Sequence, residues 1–190
     1  MCAICEFKVE FNVSHPHALT VAVNTRAAID AAQLLEHTFD GALGQAKARA
    51  SAINVLNELQ TRIEQRLTKE EFAALPDFYV LLIESGTWGC FHATTNGFDP
   101  EIVPDVPEVN SDDPAQRDIA AIASEAAICA LLDGSMAFER ASSAGLIVVD
   151  ALPAENAGVL AAIAGASGIG SPIVPREYGP IEGLGAGILI

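Results

Sequence analysis

Three short spacings bring soft metal ligands close together: Cys2 with Cys5, His15 with His17, and Cys90 with His92. Thiolate and imidazole are the ligands zinc prefers, and close spacing lets one backbone segment supply two of them. A four-ligand site needs two such pairs to meet. Cys5 and His15 bracket a strand-like stretch whose length, about 20 Å at strand rise, keeps all three pairs off one metal. The cysteine pair with Cys90 and His92 makes a closed Cys₃His site of structural type. The histidine pair with Cys90 and His92 leaves an open position, as catalytic zinc sites do. Zinc is therefore the cofactor these residue types imply.

The element that must position Cys90 and His92 is the stretch from Phe78 to Gly97, read as a buried strand, a tight turn at 85–87 and a second strand. Residues two apart on a strand share a face, so the thiol and the imidazole point the same way. A thiol-dependent reading uses the same residues: Cys90 as nucleophile, His37 or His15 as base, and Glu84 or Asp150 as the orienting acid. Both acids end apolar strands. The opening Met1-Cys2 is similar to the start of class II glutamine amidotransferases, with Ala3 where that family has glycine. That resemblance implies Cys2 as an N-terminal nucleophile, which requires removal of Met1. Gly165–Gly170 spaces its glycines as a dinucleotide loop does, but it follows a helical pattern rather than a strand.

Around this hairpin the chain alternates polar and apolar residues over 5–11 and again over 19–23, which predicts a first antiparallel hairpin. From Arg26 to Leu67 the period becomes helical, with a break at 40–44 and a stripe running from Leu43 through Leu56 and Ile63 to Leu67. His37 falls on the surface of the first helical piece. Thr68 to Glu71 has the spacing of a capping box. Residues 97–114 form an extended acidic, proline-rich loop. Asp113-Pro114 then predicts a helix reaching Asp133, closed by Gly134, with Cys129 among its core residues. Leu146–Val149 is a buried strand, and Pro153 opens a final helix. The expected fold is α+β or α/β: one mixed sheet, built from two hairpins and one buried strand, covered by long amphipathic helices. One domain spans 1–190, and its apolar, glycine-rich tail at 167–190 should dock on the core or on another chain.

Composition limits the partners. Ten basic residues against 25 acidic ones give a net charge of −15, and the excess is greater in the second half. Such a surface repels phosphate backbones and anionic membranes, so neither nucleic acid nor membrane is an expected partner. A basic protein surface suits it better, met through Asp105, Glu108, Asp112 and Asp113. Mean hydropathy is +0.33, yet no apolar run reaches the roughly 20 residues of a membrane span. No secretory pattern opens the chain, so the cytoplasm is the expected compartment, and the helix stripe and apolar tail suggest a homo-oligomer. The function expected is that of a metal-binding protein, a thiol- or zinc-dependent enzyme with its site around Cys90 and His92. The alternative is a non-catalytic acidic protein of inhibitor or immunity type that recognises a basic surface.

Overall fold

The structure is a computed structural model that describes residues 8–9, 14–39, 41, 43–99 and 101–168. Its centre is a mixed five-stranded sheet ordered β1-β3-β2-β6-β7, and with the helices around it the fold is α+β. β2 (Phe78–Leu82) and β3 (Thr87–Phe91) form the hairpin expected from the sequence, joined by a turn in which Gly86 takes the left-handed φ of +63°. β1 (Lys8–Val9) pairs with the outer side of β3. β6 (Ala120–Ala123) lies parallel to β2, and β7 (Ile147–Asp150) closes the other side antiparallel to β6. A two-stranded ribbon, β4 (Ala93–Thr94) with β5 (Gly97–Phe98), projects beyond β3. Phe98 stands edge-on to Phe72, Phe78 and Phe91 there.

The sheet has two unequal faces because strand side chains alternate. Phe78, Val80 and Leu82 join the larger core with α2 (Gly44–Arg66), α4 (Glu125–Leu132), α5 (Phe138–Ser143) and α6 (Pro153–Gly165). Leu81, Trp88, Ala120 and Ile122 form a smaller core on the other face. It is covered by α1 (Ala18–Asp30), through Val21, and by the acidic loop, through Val109. The short α3 (Lys69–Ala73) carries the capping box in full, with Thr68 and Glu71 bonded in both directions.

Three expectations are corrected. The second strand of the first hairpin is absent: Leu19–Val23 lies inside α1, whose buried residues Val21, Thr25 and Ala28 recur at steps of four and three. Leu19 and Val23, which created the alternation, are exposed. The same helix stops at Asp30, so His37 sits on the 31–43 connection rather than on a helix. The predicted helix from Asp113 to Asp133 is also three elements in place of one. Asp113 does cap, accepting from the Ala115 N–H at 3.0 Å, but only a single 3₁₀ turn at Pro114–Gln116 follows. Then comes the fully buried β6, and Ser124 caps the real helix α4 by accepting from the Ala127 N–H. Short buried strands and helix segments share one apolar pattern, and Ala-Ala-Ile-Ala satisfies both. Among the described residues no helix is long and apolar enough to cross a membrane. The tail expected to dock lies, from residue 169 onward, outside the described residues.

Candidate metal centre

β2 and β6 are the parallel pair, and they end level, with Leu82 opposite Ala123. Functional groups collect beyond the carboxyl ends of parallel strands because the following turns and helix N-termini converge there. Past β2 the turn carries Glu84; past β6 the first residue of α4 is Glu125. Glu84 is exposed as a residue, but its carboxylate turns onto the end of α4, where Oε1 and Oε2 accept from the Glu125 N–H at 3.0 and 2.9 Å. A carboxylate at this position also meets the positive end of the helix dipole.

Glu125 is 3% exposed, which for a carboxylate demands partners. Ser51, on α2, donates its hydroxyl to Oε1 at 2.5 Å, and His37 Nδ1 stands 3.6 Å from the same oxygen. The latter distance is an ion-pair contact rather than a hydrogen bond. One helical turn beyond Glu125, at i+4 and so on the same face, comes Cys129. Ligand atoms of His37, Glu125 and Cys129 all lie within 4.8 Å of one another, a grouping able to hold a metal ion.

The electrostatics separate two uses of this trio. The Glu125 carboxylate raises the His37 pKa above its ordinary 6.5. Burial pushes the Cys129 thiol up to about 12, and the charges of Glu125, Asp133 and Glu84 add to the effect. Desolvation likewise raises Glu84, against the pull of its hydrogen bonds to backbone amides. A thiol held that high is not an attacking nucleophile near neutral pH, so a bare Cys-His-Glu triad is poorly served here. A bound cation reverses the case, because coordination removes the thiol proton and the surrounding carboxylates then attract the ion.

The residues singled out from sequence are dispersed. Cys90 is buried on β3 opposite Tyr79, at the other end of β2 from Glu84. Burial raises its thiol to about 11, with Asp77 the next contribution. His92 lies just past β3, its Nδ1 2.8 Å from both carboxylate oxygens of Asp77. The two share an end of the sheet but join no group of three ligands among the described residues. His15 is buried against Asp150 at the end of β7, and His17 is exposed and stacked on it at 5.4 Å. Three strand spacings, about 14 Å, separate β7 from β3, so the histidine pair is not brought to Cys90. The cause is α1: a helix follows His17 where a returning strand was expected. Cys2 and Cys5 lie outside the described residues.

Asp105, Glu108, Asp112 and Asp113 are all exposed on the loop. Two of them shape it, Asp113 as a cap and Glu108 by accepting from the Asn110 N–H. Sequence reasoning weighed His37 and Glu84 as site residues but read Cys129 as core and gave Glu125 no role. The available signal was a lone acid interrupting the apolar run from Ile119 to Leu132, four residues before a cysteine. No family model, curated protein or solved structure matches the chain.

Proposed function

We propose that this chain binds a zinc-type divalent metal through His37, Glu125 and Cys129, and that the site is of the open, catalytic kind. The observation that carries this reading is the convergence of one nitrogen, one oxygen and one sulfur donor within 4.8 Å. That donor set suits zinc and its borderline neighbours far better than magnesium or calcium, which prefer oxygen alone. Three protein ligands leave a fourth position for water or substrate, and a metal so held supplies a Lewis acid and an acidified water. The chain's own residues set the terms around it. Ser51 fixes the Glu125 carboxylate, Glu84 adds negative charge beside the trio, and His37 reaches in from an exposed connection.

The test is cobalt and zinc loading of purified protein, followed by elemental analysis and near-ultraviolet absorption. The expected result is about one equivalent of metal and a thiolate-to-cobalt charge-transfer band. Cys129→Ser should lose that band while Cys90→Ser keeps it. Failure of the wild type to retain either metal, or loss of the band in Cys90→Ser alone, would overturn the assignment.

A further inference from the structure

The second cluster of titratable groups lies at the far end of the sheet, where α1 begins. His15 is 3% exposed, and its Nδ1 accepts from the His17 N–H at 3.1 Å, which places the ring proton on Nε2. Nε2 stands 3.3 Å from Asp150 Oδ2 but finds no hydrogen-bond partner, so the contact is ionic in reach and misaligned for a bond. Arg117 NH1 is 3.9 Å from the same oxygen, and the His17 ring stacks on His15. The charged and titratable groups around His15 are thus Asp150 from β7, Arg117 from the segment before β6, and His17 beside it.

α1 is the helix that covers the smaller core; Asn24 Nδ2 ties it to the Gly145 carbonyl at 3.2 Å, and Ala28 at its far end reaches the larger core. It buries Val21, Thr25 and Ala28, leaving Leu19 and Val23 in solvent. Thr25 Oγ1, like His15 Nε2, is buried without a partner; these are two of three such side-chain atoms among the described residues. Each buried orphan opposes docking. Elements with few buried contacts and unmet polar groups are the first to open.

We propose that His15 is a proton-operated latch: when its imidazole charges, α1 releases from the sheet and opens the smaller apolar core that Val21 shares with Trp88. With His15 neutral, Asp150 and Arg117 balance. With His15 charged, two cations face that one carboxylate. His15 Nδ1 then also becomes a donor pointed at the His17 N–H, so an attractive contact turns repulsive. Burial holds the docked His15 below its ordinary 6.5, and His17 and Arg117 press the same way, against Asp150. A depressed value means the docked form prefers the neutral ring. Docking is therefore at full strength above pH 6.5 and is lost as pH falls from there toward the docked value.

Trp88 is the single tryptophan of the chain, is fully buried and shares the smaller core with Val21 of α1, so its fluorescence reports the opening of that core. Acrylamide quenching is measured from about pH 7.5 to about pH 5.5 beside far-ultraviolet circular dichroism. The open fraction should rise by up to about tenfold per pH unit below the histidine's ordinary value, with helix content retained. His15→Asn, whose Oδ1 keeps the acceptor for the His17 N–H but cannot charge, should flatten the response. Asp150→Asn, removing the carboxylate that steadies the charged ring, should carry the rise to lower pH and to a larger open fraction. The latch is refuted by any of three results: quenching that stays flat or rises only with loss of helix, an undiminished response in His15→Asn, or an Asp150→Asn response that levels off no lower in pH than that of the wild type.

Discussion

Replacing Ser51 with alanine tests the metal centre without touching a ligand. The Ser51 hydroxyl donates to Glu125 Oε1 at 2.5 Å, whereas His37 Nδ1 stands 3.6 Å from that oxygen, beyond hydrogen-bond range. Removing the donor leaves a buried carboxylate oxygen unsatisfied. Hydrogen bonds to charged groups contribute about 1.5–3 kcal/mol. His37 is exposed enough to admit a water on that side, which favours the lower half of the range, about 1.5–2 kcal/mol. For a chain of this length that corresponds to a melting shift of roughly 3–8 °C. The assay is urea unfolding of the metal-free protein, with the midpoint read at constant slope, alongside zinc affinity by competition with a chelator. Groups that orient a ligand typically change metal affinity by about 10–100-fold, so affinity should fall by that factor too. Ser51→Thr, which keeps a hydroxyl, should restore most of both. A Ser51→Ala protein within about 0.5 kcal/mol of wild type and with unchanged zinc affinity would show that Glu125 is not held as described.

Two further substitutions test the scaffold that carries the site. Gly89→Ala on β3 places a methyl group 3.2 Å from Leu56 Cδ1 and 3.2 Å from Phe91 Cε2, so these two side chains must give by a few tenths of an ångström in a fully buried core; a loss of about 1–3 kcal/mol in urea unfolding is expected, and a neutral result would mean that they yield without strain. Thr68→Ala removes the hydroxyl half of the capping box at the start of α3, the acceptor for the Glu71 N–H, and keeps the backbone N–H that donates to Glu71 Oε2; the cost is about 0.5–2 kcal/mol, with faster amide exchange confined to Lys69–Ala73 if the cap is local and spread beyond it if α3 anchors the core.

The parts of the fold legible in the sequence are those whose signals are local. The β2–β3 hairpin announced itself by an apolar run, a turn with glycine and a second run; the Thr68 box and the Pro153 helix start are equally self-contained. Leu19–Val23 misled because Val21 belongs to both patterns. Paired with Leu19 and Val23 it spells a strand; paired with Thr25 and Ala28 it spells the buried stripe of a helix. Only the sheet beneath decides which neighbours are wet. Likewise Ala120–Ala123 is a strand because β2 and β7 flank it on both sides, a fact with no counterpart in four small apolar residues.

The site shows the same limit with more at stake. Cysteine–histidine spacing drew attention to Cys90 and His92 because both donors lie on one segment, yet the group that converges takes one residue from a connection and two from a helix. The link from Ser51 to Glu125 crosses 74 positions. No short spacing encodes such a meeting. What the sequence does encode is its consequence: a carboxylate within an otherwise apolar run. Burying that charge is unfavourable by itself, so its presence means that partners are supplied from elsewhere in the fold. In an alanine-rich segment that reads as core, the residue that breaks the pattern is more informative than those that form a motif. Glu125 could be named as a site on that ground before any partner was known.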